Sequence, residues 1–268
     1  MTAEPRHQRA PTARGSWRPA LLVAIGSVLA VLVGLRDVGA ASADQLVERL
    51  AAIHELRELR VNQRRSPFTD DDLRKAADGA VVTYVVPTPG DPNPTTWGAS
   101  LVRLPIARIW SGLNDDLGQP GHTALEYTEL LAGRPCQSGR RVLMFLPVPM
   151  VTDRWWISIR SENRDLHRAS GGSVRELNWT SSSDPREVVT ESGRKVIAQG
   201  IPIGFTKGSW FLVAIDDRST FLEYYQWSDP GGKLPASMSN SFAARAIRKN
   251  FASMEQFARE GNPSCPIE

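Results

Sequence analysis

The stretch that most constrains the fold of this chain lies near its end. Phe221, Leu222, Tyr224, Tyr225 and Trp227 form a run of large, β-favouring side chains. Asp229-Pro230-Gly231-Gly232 stops that strand and turns the chain. Leu234-Pro235 then starts a helix, with Pro235 where a missing N–H costs little. On a 3.6-residue wheel Phe242, Ala243, Ala246, Ile247, Phe251, Met254, Phe257 and Ala258 share one arc, and Arg245, Arg248, Lys249, Glu255, Gln256 and Arg259 the other. Any fold must therefore accommodate a strand, a tight turn and a long amphipathic helix laid on an apolar surface.

The N-terminus bears on the compartment. Arg6, Arg9, Arg14 and Arg18 precede an apolar run over 19–35, followed by Ala41-Ser42-Ala43. A basic region, an apolar segment and a small-residue site in that order describe a secretory signal peptide over 1–43. The apolar run is slightly long for that role and slightly short for a membrane span, so an uncleaved anchor is the alternative. The expected location is periplasmic or secreted, or else anchored in an inner membrane by residues 19–35.

Removing that leader changes the charge argument. The leader holds five basic residues and two acids out of the chain's 32 and 29, which leaves 27 of each. The high pI thus belongs to the leader, and a nucleic-acid partner loses its electrostatic support. About 225 residues remain, enough for one domain with a core and an internal cavity. The two cysteines, Cys136 and Cys265, are either a disulfide in an exported chain or two unrelated thiols.

Between these ends the chain reads as helix, then mostly strand. Leu46, Leu50, Ile53, Leu56 and Leu59 recur at helical spacing over 44–60, with Arg49, Arg57 and Arg60 interrupting the apolar face. This arm, with a linker to residue 65, is a spacer or a strut. Thr69 caps a second helix that opens on three Asp and ends at Asp78-Gly79. Strands are expected over 80–87, 97–104, 122–131, 141–146, 154–161, 174–181, 195–205, 209–216 and 220–227, with a Pro- and Gly-rich loop over 87–95 and a short helix over 106–113 behind Pro105. The class is α+β.

The order of these segments resembles the START-like, helix-grip (Bet v 1-like) lipid-binding domains. In that family a last strand, an Asp-Pro-Gly-Gly-like turn and a Leu/Ile-Pro pair lead into the helix that closes a hydrophobic cavity. Leu101-Val102-Arg103-Leu104-Pro105 before Ile109-Trp110 is similar to the family's strand–Pro–helix segment, and Pro149 to Arg160 to its Ser/Pro-Asp-Arg-Asp segment, with Trp155 here in place of the acid. The similarity covers roughly residues 66–260, and no single motif in it is specific. It implies a curved antiparallel sheet wrapped around a long C-terminal helix, and a cavity for a lipid, sterol-like or isoprenoid molecule.

On that footing the candidate cavity residues are Met144, Leu146, Trp156, Ser158, Arg160, Trp210, Tyr225, Phe242, Ile247 and Met254. Arg160 meets a ligand head group or reaches the surface; no acid is visible on the neighbouring strand, where Arg140 and Arg141 lie. The loop over 162–173, with Arg164, His167 and Arg168, is expected at the cavity mouth, where transient membrane contact would occur.

The catalytic search is largely empty. His54, His122 and His167 are isolated, and no zinc spacing, nucleophile elbow or phosphate loop is present in the sequence. No cofactor or metal is expected. The resemblance implies a non-catalytic carrier; a polyketide cyclase- or aromatase-like enzyme on the same fold and a ligand-free envelope interaction domain are the alternatives.

Overall fold

The computed structural model describes residues 41–232 and 236–266, and within the last helix the side chains from Ala244 onward. The apolar run over 19–35 and the Leu234-Pro235 pair lie outside these residues. Among the described residues no helix is long and apolar enough to cross a membrane. The chain from Gly39 to Glu268 is one compact unit.

The elements run α1 (Ala43–Ala52), a 3-10 helix (His54–Leu59), α2 (Asp70–Ala77), β1 (Val82–Thr88), β2 (Asp91–Val102), α3 (Ile106–Asn114), β3 (Tyr127–Ala132), β4 (Arg140–Leu146), β5 (Asp153–Glu162), α4 (Arg164–Ala169), β6 (Val174–Ser182), α5 (Glu191–Ile197), β7 (Gly200–Pro202), β8 (Phe205–Asp216), β9 (Ser219–Asp229) and α6 (Ala236–Glu260). The strands form one curved, open sheet in the order β1-β2-β9-β8-β6-β5-β4-β3. All neighbours along it are antiparallel, and short β7 runs parallel to the start of β5.

Local chemistry explains where the elements begin and end. Ser42 and Gln45 form a reciprocal capping box at α1, and Thr69 and Asp72 do the same at α2. Gly231 and Gly232 both take the left-handed backbone that the turn after β9 needs, and Asp229 Oδ1 accepts the Gly231 N–H at 2.9 Å.

Three expected segments differ. The strand expected over 195–205 is broken: its first three residues end α5, which Thr190 caps through the Gly193 N–H and in which Lys195 pairs with Glu191 one turn back, and extended backbone resumes at β7 (Gly200–Pro202) and at Phe205, the start of β8. The loop expected over 87–95 closes into a tight hairpin in which Thr88 opposes Asp91. The segment over 162–173 contains α4, capped by Asn163, rather than an open loop.

The sheet has two covered faces. On the inner face α6 and α3 bury Ile247, Phe251 and Met254 with Ile109, Trp110 and Leu113 against Trp210, Leu222 and Tyr224. On the outer face α1 and α2 bury Leu46, Leu50 and Ile53 against Phe211, Val213 and Phe221. The N-terminal arm is therefore a strut. Its Arg60 is buried and pairs with Glu176 Oε1 at 3.2 Å and with Glu223; Arg57 Nη1 reaches Glu223 Oε2 at 3.2 Å. Both carboxylates stand on strands, buried against an apolar layer where an unpaired charge would be very costly. Burial alone would raise the Glu223 carboxyl, but Arg60 and Arg57 outweigh it and hold the group below its ordinary value.

Cys136 and Cys265 form a disulfide that joins the β3–β4 turn to the tail after α6, with Cα atoms 5.5 Å apart at a sequence separation of 129. Closing so long a loop restricts the unfolded chain by about 5 kcal/mol in the chain-entropy model.

Candidate functional site

Register places one row of residues across the inner face. Arg140 opposes Arg160, Arg160 opposes Trp179, Trp179 opposes Gly208, and Gly208 opposes Gln226. Directly opposed residues share a face, so this row is a line of side chains beneath α6.

The basic end of the row is an internal ion group. Asp116, from the loop after α3, pairs with Arg140 Nε through Oδ2 and lies 3.0 Å from Arg160 Nε through Oδ1. Arg160 also donates to the Leu113 carbonyl at 3.2 Å and lies 3.8 Å from the Met144 sulfur. Arg160 thus does not reach the surface as an ordinary solvated side chain, and its acid comes from a loop rather than a neighbouring strand. Burial pushes its guanidinium below the ordinary value, Asp116 opposes that, and Arg140 adds to it. A cavity of about 10 Å³, room for one water, adjoins Asp116 and Arg140.

The middle of the row is aromatic. Gly208 carries no side chain, and the Trp179 indole lies over it; a Cβ there would come within 2.8 Å of Trp179 Cη2. Trp179 Nε1 donates to Thr206 Oγ1 at 3.3 Å, and its ring sits 5.6 Å from that of Tyr224. Trp210 in turn contacts Tyr224 at 4.6 Å and Phe251 at 5.0 Å between centroids. These rings fill the space beneath the C-terminal half of α6. Burial pushes the Tyr224 phenol well up, and its O–H donates to Gln226 Oε1. Gln226 Nε2 donates onward to Thr206 and Ser228.

The expected cavity residues divide accordingly. Met144, Ser158, Arg160, Trp210, Ile247 and Met254 lie on or against the inner face and are buried or nearly so; Leu146 and Trp156 share that face but are only half-buried. Tyr225 lies on the opposite face, with its ring 4.7 Å from that of Trp97. Its neighbour Tyr224 takes the inner position, because successive strand residues alternate faces. The side chain of Phe242 lies outside the described residues. Arg164, His167 and Arg168 belong to α4, which packs through Leu166 into the outer core. That places them on the face away from α6 and not at a mouth beside it. The inner-face residues that the sequence did not single out are Asp116, Arg140, Trp179 and Gln226; opposition to Arg160 points to Arg140 and Trp179 once the register is known.

Elsewhere, an open groove of about 510 Å³ on the outer face is lined by Trp155, Pro185, Ile197 and Pro202. Among the described residues no group of three or more His, Cys, Asp or Glu is placed to hold a metal ion.

No family model and no curated protein matches this chain. Solved structures do. A STAR-related lipid transfer protein from Xanthomonas axonopodis is similar at 16% identity, with 68% of this chain and 99% of that chain covered and a TM-score of 0.53. Human StAR-related lipid transfer protein 5 matches at 14% identity over 81% of this chain and 97% of that one, with a TM-score of 0.53. Human STARD10 matches at 13% identity over 75% and 84%, with a TM-score of 0.52. An open antiparallel sheet gripping a long C-terminal helix is the architecture these structures share with it. The chain has the START-like, helix-grip fold.

Proposed function

We propose that this protein is a carrier that binds a hydrophobic small molecule with a polar end between its sheet and α6. One observation carries the reading: the Asp116–Arg140–Arg160 group is built into the inner face beside an aromatic floor. Polar groups buried in an otherwise apolar interior suit a ligand with one polar end and an apolar body. The solved structures that share the fold and are named for lipid transfer support the same class of ligand. Burial of the apolar body would drive binding, at about 25 cal/mol per Å² before association costs.

Export is part of this proposal. The basic and apolar leader supports it, and so does the Cys136–Cys265 bond, which persists in an oxidising compartment. Ala41 is buried and Ser42 caps α1, so a cut after Ala43 would remove both; these contacts support a mature chain that keeps them.

The test is native mass spectrometry of the exported chain purified without detergent. A discrete co-purifying mass, lost on organic extraction, establishes the carrier and gives its ligand class. A bare protein mass favours a second reading, an interaction domain with no ligand. The close packing of Trp210, Tyr224 and Phe251 is the observation on its side.

A further inference from the structure

Both ends of the disulfide abut the buried ion group. Cys136, in the β3–β4 turn, lines the small cavity beside Asp116 and Arg140. Arg140 Nη1 donates to the carbonyl of the next residue, Gln137, at 2.9 Å. The Gly139 N–H donates to the Arg160 carbonyl at 2.7 Å, and Ser138 Oγ accepts the Glu162 N–H at 3.0 Å. The turn folds so tightly onto β4 that a Cβ on Gly133 would lie 2.9 Å from Arg140 Cα. This end of the bond therefore frames the two guanidiniums.

The Cys265 end frames the acid. Ser111 Oγ, on α3, donates to the Cys265 carbonyl at 2.6 Å, and the Ser264 N–H donates to Asp115 Oδ2 at 2.7 Å. Asp115 Oδ1 also accepts the Gly118 N–H at 3.0 Å, so this carboxylate shapes the backbone around its neighbour Asp116. The Asp116 carbonyl takes a bond from Thr128 Oγ1 on β3 at 2.9 Å. The acid and its two partners thus stand in two frames, and the sulfur–sulfur bond joins them covalently.

Both frames lie at the surface. The turn is exposed at Arg134, Pro135 and Gln137, and the tail at Ser264 and Pro266. Exposed segments held by a few hydrogen bonds open locally at low cost, and a cross-link removes that freedom. Cys136 is the half-exposed partner of the bond and Cys265 the buried one.

We propose that Cys136–Cys265 is a redox control on the interior ion group. Oxidised, it holds Asp116 against Arg140 and Arg160. Reduced, it lets the turn and the tail part, and the group no longer receives the polar end of a ligand. The purpose rests on the carrier reading; the geometry does not. The step is thiol–disulfide exchange. The two cysteine thiols give two electrons and two protons to a disulfide oxidant, which leaves as a dithiol, and reduction by a dithiol runs the step backwards. A chain still in a reducing compartment lacks the bond and has no formed site; an oxidising compartment completes it.

Solution NMR of the arginine Nε–H groups in the exported chain tests the geometry. Arg60→Lys, Arg140→Lys and Arg160→Lys, made singly, assign the three cross-peaks. Arg60 is the internal reference, because its Nε donates to Glu176 Oε1 at 3.2 Å on the outer face. On reduction with dithiothreitol, and in Cys136→Ser with Cys265→Ser, the Arg140 and Arg160 cross-peaks should move or vanish while that of Arg60 stays within its line width. Movement of all three, or of none, overturns the proposal. Chemical shifts report the folded state, so a lower global stability does not mimic the result. Ser111→Ala in the oxidised chain cuts one tie to the tail and should displace the same two cross-peaks by less. Where the reduced chain unfolds, this variant decides, and unmoved cross-peaks overturn the proposal.

Fluorescence titration with a dansyl-labelled fatty acid separates the control from the carrier reading. Affinity should fall about tenfold or more on reduction, the size expected for a lost hydrogen bond to a charged group, and reoxidation should restore it. Equal affinity in the two states overturns the redox control. Displaced Arg140 and Arg160 cross-peaks with no probe bound in either state uphold the control of the ion group and count against the carrier alone.

Discussion

The six-membered ring of Trp179 packs against the backbone of Gly208, and the two residues oppose each other on neighbouring strands. The indole occupies the volume that any side chain at 208 would need. Gly208→Ala should therefore force the ring off β8, at about 1–3 kcal/mol of overpacking cost, and should also strain the strand against the Tyr225 carbonyl. Urea midpoints and the near-ultraviolet circular dichroism of the tryptophans read the effect. An unchanged spectrum at unchanged stability would show that the ring is not held there.

Asp116 serves two guanidiniums, so its loss should cost more than the loss of either. Asp116→Asn leaves Arg140 and Arg160 buried together without an acid and should destabilise by about 3–5 kcal/mol. Arg160→Met leaves the Arg140–Asp116 pair in place and should cost less. Denaturant midpoints of the two variants check the order; the reverse order would mean that Asp116 is not the shared partner.

Glu223 makes the outer ion cluster pH-dependent. Its folded value is depressed, so the unfolded chain binds the proton more readily. The stabilisation is complete above the ordinary glutamate value of about 4.3 and is lost as pH falls from there towards the depressed folded value. The stability gap between the protein and Glu223→Gln should be widest near neutrality and close below about pH 4. Urea titrations of both at pH 7 and pH 3 measure it; a gap that is constant with pH would remove the ion pair as its cause.

The disulfide should contribute largely through the unfolded chain. Cys136→Ser with Cys265→Ser should lower stability by about 2–5 kcal/mol with little change in the far-ultraviolet spectrum. Equal midpoints for the bonded and serine forms would refute that contribution.

What the sequence made legible follows from local periodicity. The run from Phe221 to Trp227, the Asp229-Pro230-Gly231-Gly232 turn and the amphipathic stripe through Ile247, Phe251 and Met254 carry short-range signals, and the structure has a strand, a turn and a helix there. Alternation alone could not say which face of β9 looks inward, so Tyr225 stood where Tyr224 belongs. The Arg160 partner was hidden for a different reason: Asp116 arrives from a loop 44 positions away, and loops announce no register. α5 was misread because Val196, Ile197 and Ile201 suit a strand, while the Thr190 cap and the Glu191–Lys195 pair settle the helix.

The Arg57 and Arg60 contacts have a consequence for where this protein can be divided. The sequence places its border near Ser66, after a polar linker, yet Glu176 and Glu223 have their counter-charges upstream of it. A shortened chain that begins at Ser66 keeps every strand and the whole of α6. It would nonetheless present two acids on a bare apolar sheet, a surface suited to aggregation rather than to solution. Electroneutrality therefore moves the border of the smallest piece able to stand alone upstream of Arg57.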